Sequence, residues 1–179
     1  MLPSDFTIVV NPTGEYIAIT QKDVVTSKYT VAFIDLKTNK NIELGSFSST
    51  EPARFISSET FGIKSDETLT FYHPSFSGAK TVSTNLPLST LSYDEQKETF
   101  YYVGSEEETN TSILPSLNEF GFSADTKPAI LSYKANKKQI VFTLPNTSQF
   151  TKSIVSADQK QIAFYSSETN DLAILELMP

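Results

Sequence analysis

A short phrase recurs along this chain: an apolar strand, a polar turn opened by Asn or Ser, and a second apolar strand. It reads Val10-Asn11-Pro12-Thr13-Gly14-Glu15-Tyr16-Ile17-Ala18-Ile19 near the start. Near the end it reads Val155-Ser156-Ala157-Asp158-Gln159-Lys160-Gln161-Ile162-Ala163-Phe164. Looser copies stand at 56–63, 91–101 and 122–131. An internal repeat constrains architecture more than any other pattern. Each copy marks a unit that cannot bury its own hydrophobic face and must stack on a neighbour.

The phrases open at Asn11, Ser57, Ser92, Ser123 and Ser156, which lie 46, 35, 31 and 33 residues apart. Four-stranded propeller blades repeat every 40 to 50 residues or so, and the shorter spacings imply trimmed blades. The expected fold is therefore all-β and β-propeller-like, with four antiparallel blades. The count rises to five if 112–122 forms short strands instead of an insertion. The propeller is expected to be incomplete or part of a larger one. As a single domain over 1–179, its blades are expected near 5–47, 52–86, 88–145 (with an insertion near 104–122) and 149–178.

In the first unit, strands are expected at 6–10, 16–20, 29–36 and 41–44. Gly, Asn and Pro break them, since these residues take turn dihedrals that others resist. The segments Val31-Ala32-Phe33-Ile34, Phe100-Tyr101-Tyr102-Val103, Ile140-Val141-Phe142 and Leu172-Ala173-Ile174-Leu175 are apolar at successive positions. A strand with one wet face would alternate, so these point to sheets covered on both sides, as between blades. An immunoglobulin-like sandwich is the runner-up. No stretch holds a 3.6-residue period, so few helices are expected. The last unit ends on a third strand at 172–177 with no fourth behind it. That leaves either an open edge or closure by 1–5, and an open edge invites pairing with another chain.

The phrases at Asn11 and Ser156 resemble the Ser-Pro-Asp-Gly-Lys-x-Ile-Ala-Phe signature of TolB-like and WD40-like β-propellers. Ala32-Phe33-Ile34-Asp35-Leu36-Lys37-Thr38-Asn39-Lys40 resembles the third-strand phrase that follows it in those proteins. The turn Gly is kept only as Gly14 and the Pro only as Pro12, and there is no Trp-Asp dipeptide. The resemblance implies a protein-interaction platform or an accessory domain and transfers no catalytic residue.

Charge excludes one class of partner. The net charge is −7, which opposes a phosphate backbone, so nucleic acid is not an expected partner. The cluster Lys134, Lys137 and Lys138 reads as a solvated turn. There are no cysteines, which removes disulfides, thiolate chemistry and Cys-ligated zinc. No apolar run reaches the roughly 18 residues of a membrane-spanning helix. The segment Met1-Leu2-Pro3-Ser4-Asp5 shows no signal-peptide pattern. The reading leans to an exported or cell-envelope bacterial protein whose targeting segment has been removed.

Candidate chemistry is sparse. His73 is the only histidine. It cannot build a multi-histidine metal site, and no Gly-x-Ser-x-Gly elbow supplies a nucleophile for it. The loop Tyr72-His73-Pro74-Ser75-Phe76 is the candidate binding segment, with Tyr72 and Phe76 as aromatic anchors beside His73. The opposing reading has both aromatics packed inward. Glu106-Glu107-Glu108 with Asn110 lacks the ligand alternation of a calcium loop. The sequons at Asn110 and Asn146 matter only in a secreted eukaryotic protein. No metal, cofactor or catalytic residue is expected. The leading expectation is a non-catalytic protein-interaction or scaffolding module with a protein partner. Its alternatives are an accessory domain of a larger enzyme and a small-ligand or glycan binder at the central channel.

Overall fold

The computed structural model describes residues 6–26, 28–48, 53–65, 67–73, 79–83, 85–105, 127–145, 150–166 and 168–177. Four sheets account for nearly all of them. The first is ordered β1 (Phe6–Val10), β2 (Tyr16–Lys22), β3 (Lys28–Asp35) and β4 (Lys40–Ser48). The second holds β5 (Arg54–Phe55), β6 (Phe61–Ser65), β7 (Thr68–Tyr72) and β8 (Lys80–Ser83). The third holds β9 (Ser92–Asp94), β10 (Thr99–Ser105), β11 (Pro128–Lys134) and β12 (Lys137–Thr143). The fourth has three strands, β13 (Lys152–Val155), β14 (Gln161–Tyr165) and β15 (Leu172–Glu176). Each strand pairs antiparallel with its neighbour in sequence. The sheets are the blades of a four-blade β-propeller, and four separate sheets set aside the two-sheet sandwich. Helical structure among the described residues is one 3₁₀ turn at Leu88–Thr90. Residues 1–5, 112–122 and the turn residues 123–126 of the phrase opened by Ser123 lie outside the described residues, while the end of that phrase, 128–131, is part of β11.

The recurring turn has a physical basis in each blade. Asn11 Oδ1 accepts the amides of Glu15 and Tyr16 at 2.9 and 2.8 Å. Ser156 Oγ does the same for Lys160 and Gln161 at 3.2 and 3.0 Å. Ser57 Oγ takes Glu59 and Thr60 at 3.2 and 2.8 Å. Each side chain thus satisfies backbone donors that the turning chain strands. In the third blade the opening residue is Asp94 and not Ser92. Asp94 Oδ1 accepts Gln96 and Lys97 at 3.0 Å each, while Ser92 sits inside β9. Asp94 reaches amides two and three residues on, whereas the Ser92 hydroxyl is directed to Ser153 Oγ at 2.9 Å. Gly14 takes φ +75°, a left-handed position, and its counterpart Gln159 takes φ 56° without a glycine's freedom.

Packing explains the doubly apolar strands. Along β11, Ala129, Leu131 and Tyr133 join a cluster with Leu69, Phe71 and Leu88 of the second blade region. Ile130, between them, faces the fourth blade with Val155, Ile162 and Phe164. Tyr102 on β10 follows the first set; Tyr101 and Val103 follow the second. Successive side chains leave a strand on opposite faces, so a strand pressed between two blades must be apolar at every position. The first and second blades share a third cluster, in which Ala18, Val31 and Phe33 meet Phe55, Phe61, Ile63 and Tyr72.

Three buried clusters join blades 1–2, 2–3 and 3–4; among the described residues none joins 4 to 1. There the free faces meet solvent. Phe6, Ile8 and Val10 on β1 are 64, 53 and 54 % exposed, and Ile154, Leu172 and Ile174 of the fourth blade are 51, 65 and 59 % exposed. The fourth sheet shows no fourth strand among the described residues, which leaves the outer edge of β15 open there.

Candidate functional site

The turns that follow the innermost strands β1, β5, β9 and β13 come together on one side of the propeller, where side chains bind them to one another. Asn11 Nδ2 donates to the Ser58 carbonyl at 2.6 Å, tying blade 1 to blade 2. Glu95, at the tip of the third blade's turn, is the hub. Its Oε1 accepts the hydroxyls of Ser57 and of Thr60, the latter at 2.8 Å. Gln159 Nε2 reaches in from the fourth blade, donating to Ser58 Oγ at 2.5 Å and Glu95 Oε2 at 3.2 Å. The Tyr93 amide donates to the Ile56 carbonyl at 2.6 Å beneath them. One carboxylate thereby fixes the relative positions of three blades, and charge-assisted bonds of this kind are the stronger ones.

His73 stands at the end of β7 on this same side. Its Nε2 lies 3.2 Å from Glu59 Oε2 and 3.5 Å from Glu95 Oε2. The hydroxyls nearest this cluster, Ser57 and Thr60, donate to Glu95. A carboxylate so engaged orients the turns. Tyr72 is a core residue at 8 % exposure, its ring 5.1 Å from that of Phe33 in an edge contact, and burial pushes its phenol above the ordinary value. Phe76, the third residue of the candidate segment, lies outside the described residues, as do Glu106, Glu107, Glu108, Asn110 and Asn146. Among the described residues, no group of three His, Asp or Glu side chains is arranged to hold a metal ion.

Glu59, Glu95 and Gln159 were not singled out by sequence reasoning. Their signal was present nonetheless: each occupies an interior position of a repeated turn, and repeated turns of a propeller emerge on a common side. Asp158, in the fourth of these turns, is held below the ordinary carboxyl value first by the Ser156 hydroxyl and then by the Lys160 amide. Asp35 in blade 1 is lowered likewise by the Thr38 side chain and amide.

Below the turns, a cavity of about 510 Å³ opens between the innermost strands of blades 1, 2 and 4. Val9, Val10, Phe55, Ile154 and Val155 contribute apolar wall, and Arg54 and Lys152 are the charged residues in its described lining. Arg54 spans the wall. Its guanidinium donates to the carbonyls of Ser89 and Ser153, and its Nε to that of Phe55 at 3.2 Å. Ser153 Oγ in turn donates to the Leu91 carbonyl at 3.2 Å and accepts from Ser92 Oγ at 2.9 Å. The long apolar helix that could cross a membrane is absent from the described residues.

No family model matches the chain. No curated protein matches it either. Solved structures do. The β-propeller domain of the Trilobed protease from Pyrococcus furiosus, which has an open velcro topology, aligns with a TM-score of 0.57 at 12 % identity, over 95 % of this chain and 54 % of that one. A chain of the nidogen/laminin complex aligns with a TM-score of 0.53 at 9 % identity, over 94 and 59 %. TolB from Acinetobacter baumannii aligns with a TM-score of 0.50 at 15 % identity, over 97 and 44 %. The chain thus spans about half the length of the solved propellers it resembles. At such identities the likeness is one of fold, and the fold, shared with TolB and with protease and nidogen-complex propellers, is the β-propeller.

Proposed function

We propose that this domain is a non-catalytic protein-interaction or scaffolding module that presents its joined turns to a protein partner. The observation that carries this reading is the hub at Glu95, which fixes turns of three blades against one another while Asn11 adds the fourth. A surface held in place before binding loses little conformational freedom on association, which favours specific recognition by loops. Exposed side chains of this face, including Gln96 and Lys160, surround the hub and are available for contact.

The test is capture of partners by immobilised protein, comparing two variants. Gln96→Lys with Lys160→Glu alters the turn face, and Glu168→Lys alters the opposite side, in the turn between β14 and β15. A specific partner should fall at least about tenfold in capture with the first variant and not with the second. Equal capture by wild type and the turn-face variant would overturn the reading.

A further inference from the structure

We propose that the cavity at the inner edge of blades 1, 2 and 4 binds a small amphiphilic carboxylate: an apolar body carrying one acid group. This site lies below the turn face and shares Pro12 and Ser57 with its turns. Its volume of about 510 Å³ falls in the range of small-molecule sites. Eight of its fifteen lining residues are aliphatic or aromatic and seven are polar or charged, so apolar wall and polar groups are combined in one cavity.

Charge selects the ligand class. The protein carries a net −7, yet the described cavity lining contains no Asp or Glu and two cations, Arg54 and Lys152. Arg54 is anchored in the wall by three backbone carbonyls, so its positive charge has a fixed place. Lys152 is exposed on β13, in register with Tyr165, and its ammonium can reach an acid group at the mouth. Two cations over an apolar floor favour an anionic head on an apolar tail and repel a cationic one.

The seam supplies the reason for an apolar body. Val10 and Ile154 both line the cavity, and both are more than half exposed because blades 1 and 4 share no buried cluster. An alkyl chain laid between them covers surface that every other blade interface buries.

Isothermal titration calorimetry with decanoate, decanol and decyltrimethylammonium tests this directly. Decanoate is expected to bind once per chain, at least about tenfold more tightly than decanol, with no saturable binding of the cation. Lys152→Glu and, separately, Val10→Phe should each weaken decanoate at least about tenfold, the first by reversing the charge and the second by filling the space. Both positions are exposed, so circular dichroism should show an unchanged fold, and Glu168→Lys should leave binding as in wild type. Absence of decanoate binding, equal affinity for decanoate and decanol, or full binding by both cavity variants would each overturn the proposal. Whether the turn face captures a protein does not enter these readouts.

Discussion

The interface between blades 2 and 3 and the seam between blades 4 and 1 are built from the same kind of strand and end in opposite states. In the former, Phe71, Tyr93 and Phe100 pack with ring centroids 4.6 to 5.7 Å apart, and Leu88, Leu91 and Tyr102 are fully buried. In the latter, Ile8, Val10, Ile154, Leu172 and Ile174 are as apolar and lie at least half exposed. Their strands are no less regular: β1 pairs with β2 over five residues and β14 with β15 over five. Strand formation therefore does not depend on the second face being covered. Covering it depends on a neighbour at the right angle, and across the seam no buried cluster is formed among the described residues.

Substitutions that remove apolar bulk probe this difference most strongly. Phe33→Ala, in the sealed 1–2 interface, should lower unfolding free energy by about 3–5 kcal/mol in urea denaturation. Ile8→Ala, on the opposite face of the same sheet, should cost under about 1 kcal/mol. Comparable losses at both positions would mean that the seam is covered in solution.

Adding a single carbon sharpens the comparison at smaller scale. A Cβ at Gly62 would stand 3.0 Å from Ile56 Cγ2 and 3.2 Å from Leu88 Cδ1, in the sealed interface. Gly62→Ala should therefore cost about 1–3 kcal/mol by overpacking. A Cβ at Gly14 meets nothing within 4 Å, but the backbone there has φ +75°. Gly14→Ala should cost roughly 1 kcal/mol, all of it conformational. Thermal or chemical denaturation of the pair separates crowding from backbone strain.

Acid should produce the smallest and most local effect, and it should appear first beside the seam. Asp23 and Asp35 in blade 1 and Asp158 in blade 4 have folded values depressed below the ordinary 3.8, chiefly by hydrogen bonds from Thr26, Thr38 and Ser156 respectively. A depressed folded value means that the carboxylate form is favoured by folding. Its contribution is present above pH 3.8 and is lost as pH falls through the lower folded value. Hydrogen exchange, corrected for intrinsic rates, should show the turns at 23–26, 35–38 and 156–160 losing protection before the strands of blades 2 and 3. Simultaneous loss everywhere would show that these turns are not separate from the core.

Much of the fold was legible because its cause is local. An Asn, Ser or Asp side chain folds back on amides two to five residues later, so the turns at Asn11, Ser57 and Ser156 announce themselves in the sequence. The third turn reads from the sequence as opened by Ser92, and the hydrogen bonds of Asp94 move the opening residue two positions on. Tyr101-Tyr102-Val103 lies in a sheet stacked on both sides, as its doubly apolar pattern requires. The same pattern misleads on the last strands of two blades: Ile140, Val141 and Phe142 on β12 are all exposed, and Leu172 and Ile174 on β15 are exposed on one face. Apolarity shows that a face can be covered and not that a neighbour covers it. The candidate site was less legible. Tyr72 reads from its neighbours in sequence either as a loop anchor or as packed inward, and the edge contact with Phe33 of another blade makes it core. His73 reads as isolated, and the two carboxylates that flank it come from turns 14 residues before and 22 residues after it.

By itself, then, the sequence determined the strands, their antiparallel hairpins, the repeated turns and the need to stack, because each follows from hydrogen bonds and side-chain alternation within a few tens of residues. The tertiary structure alone decided what those repeats meet. It brought Glu59, His73, Glu95 and Gln159 together, set Arg54 across the inner strands, and left the apolar faces of blades 1 and 4 uncovered. These are contacts between units distant in the chain, fixed by the angle at which one blade packs on the next, and no local pattern of residues encodes that angle.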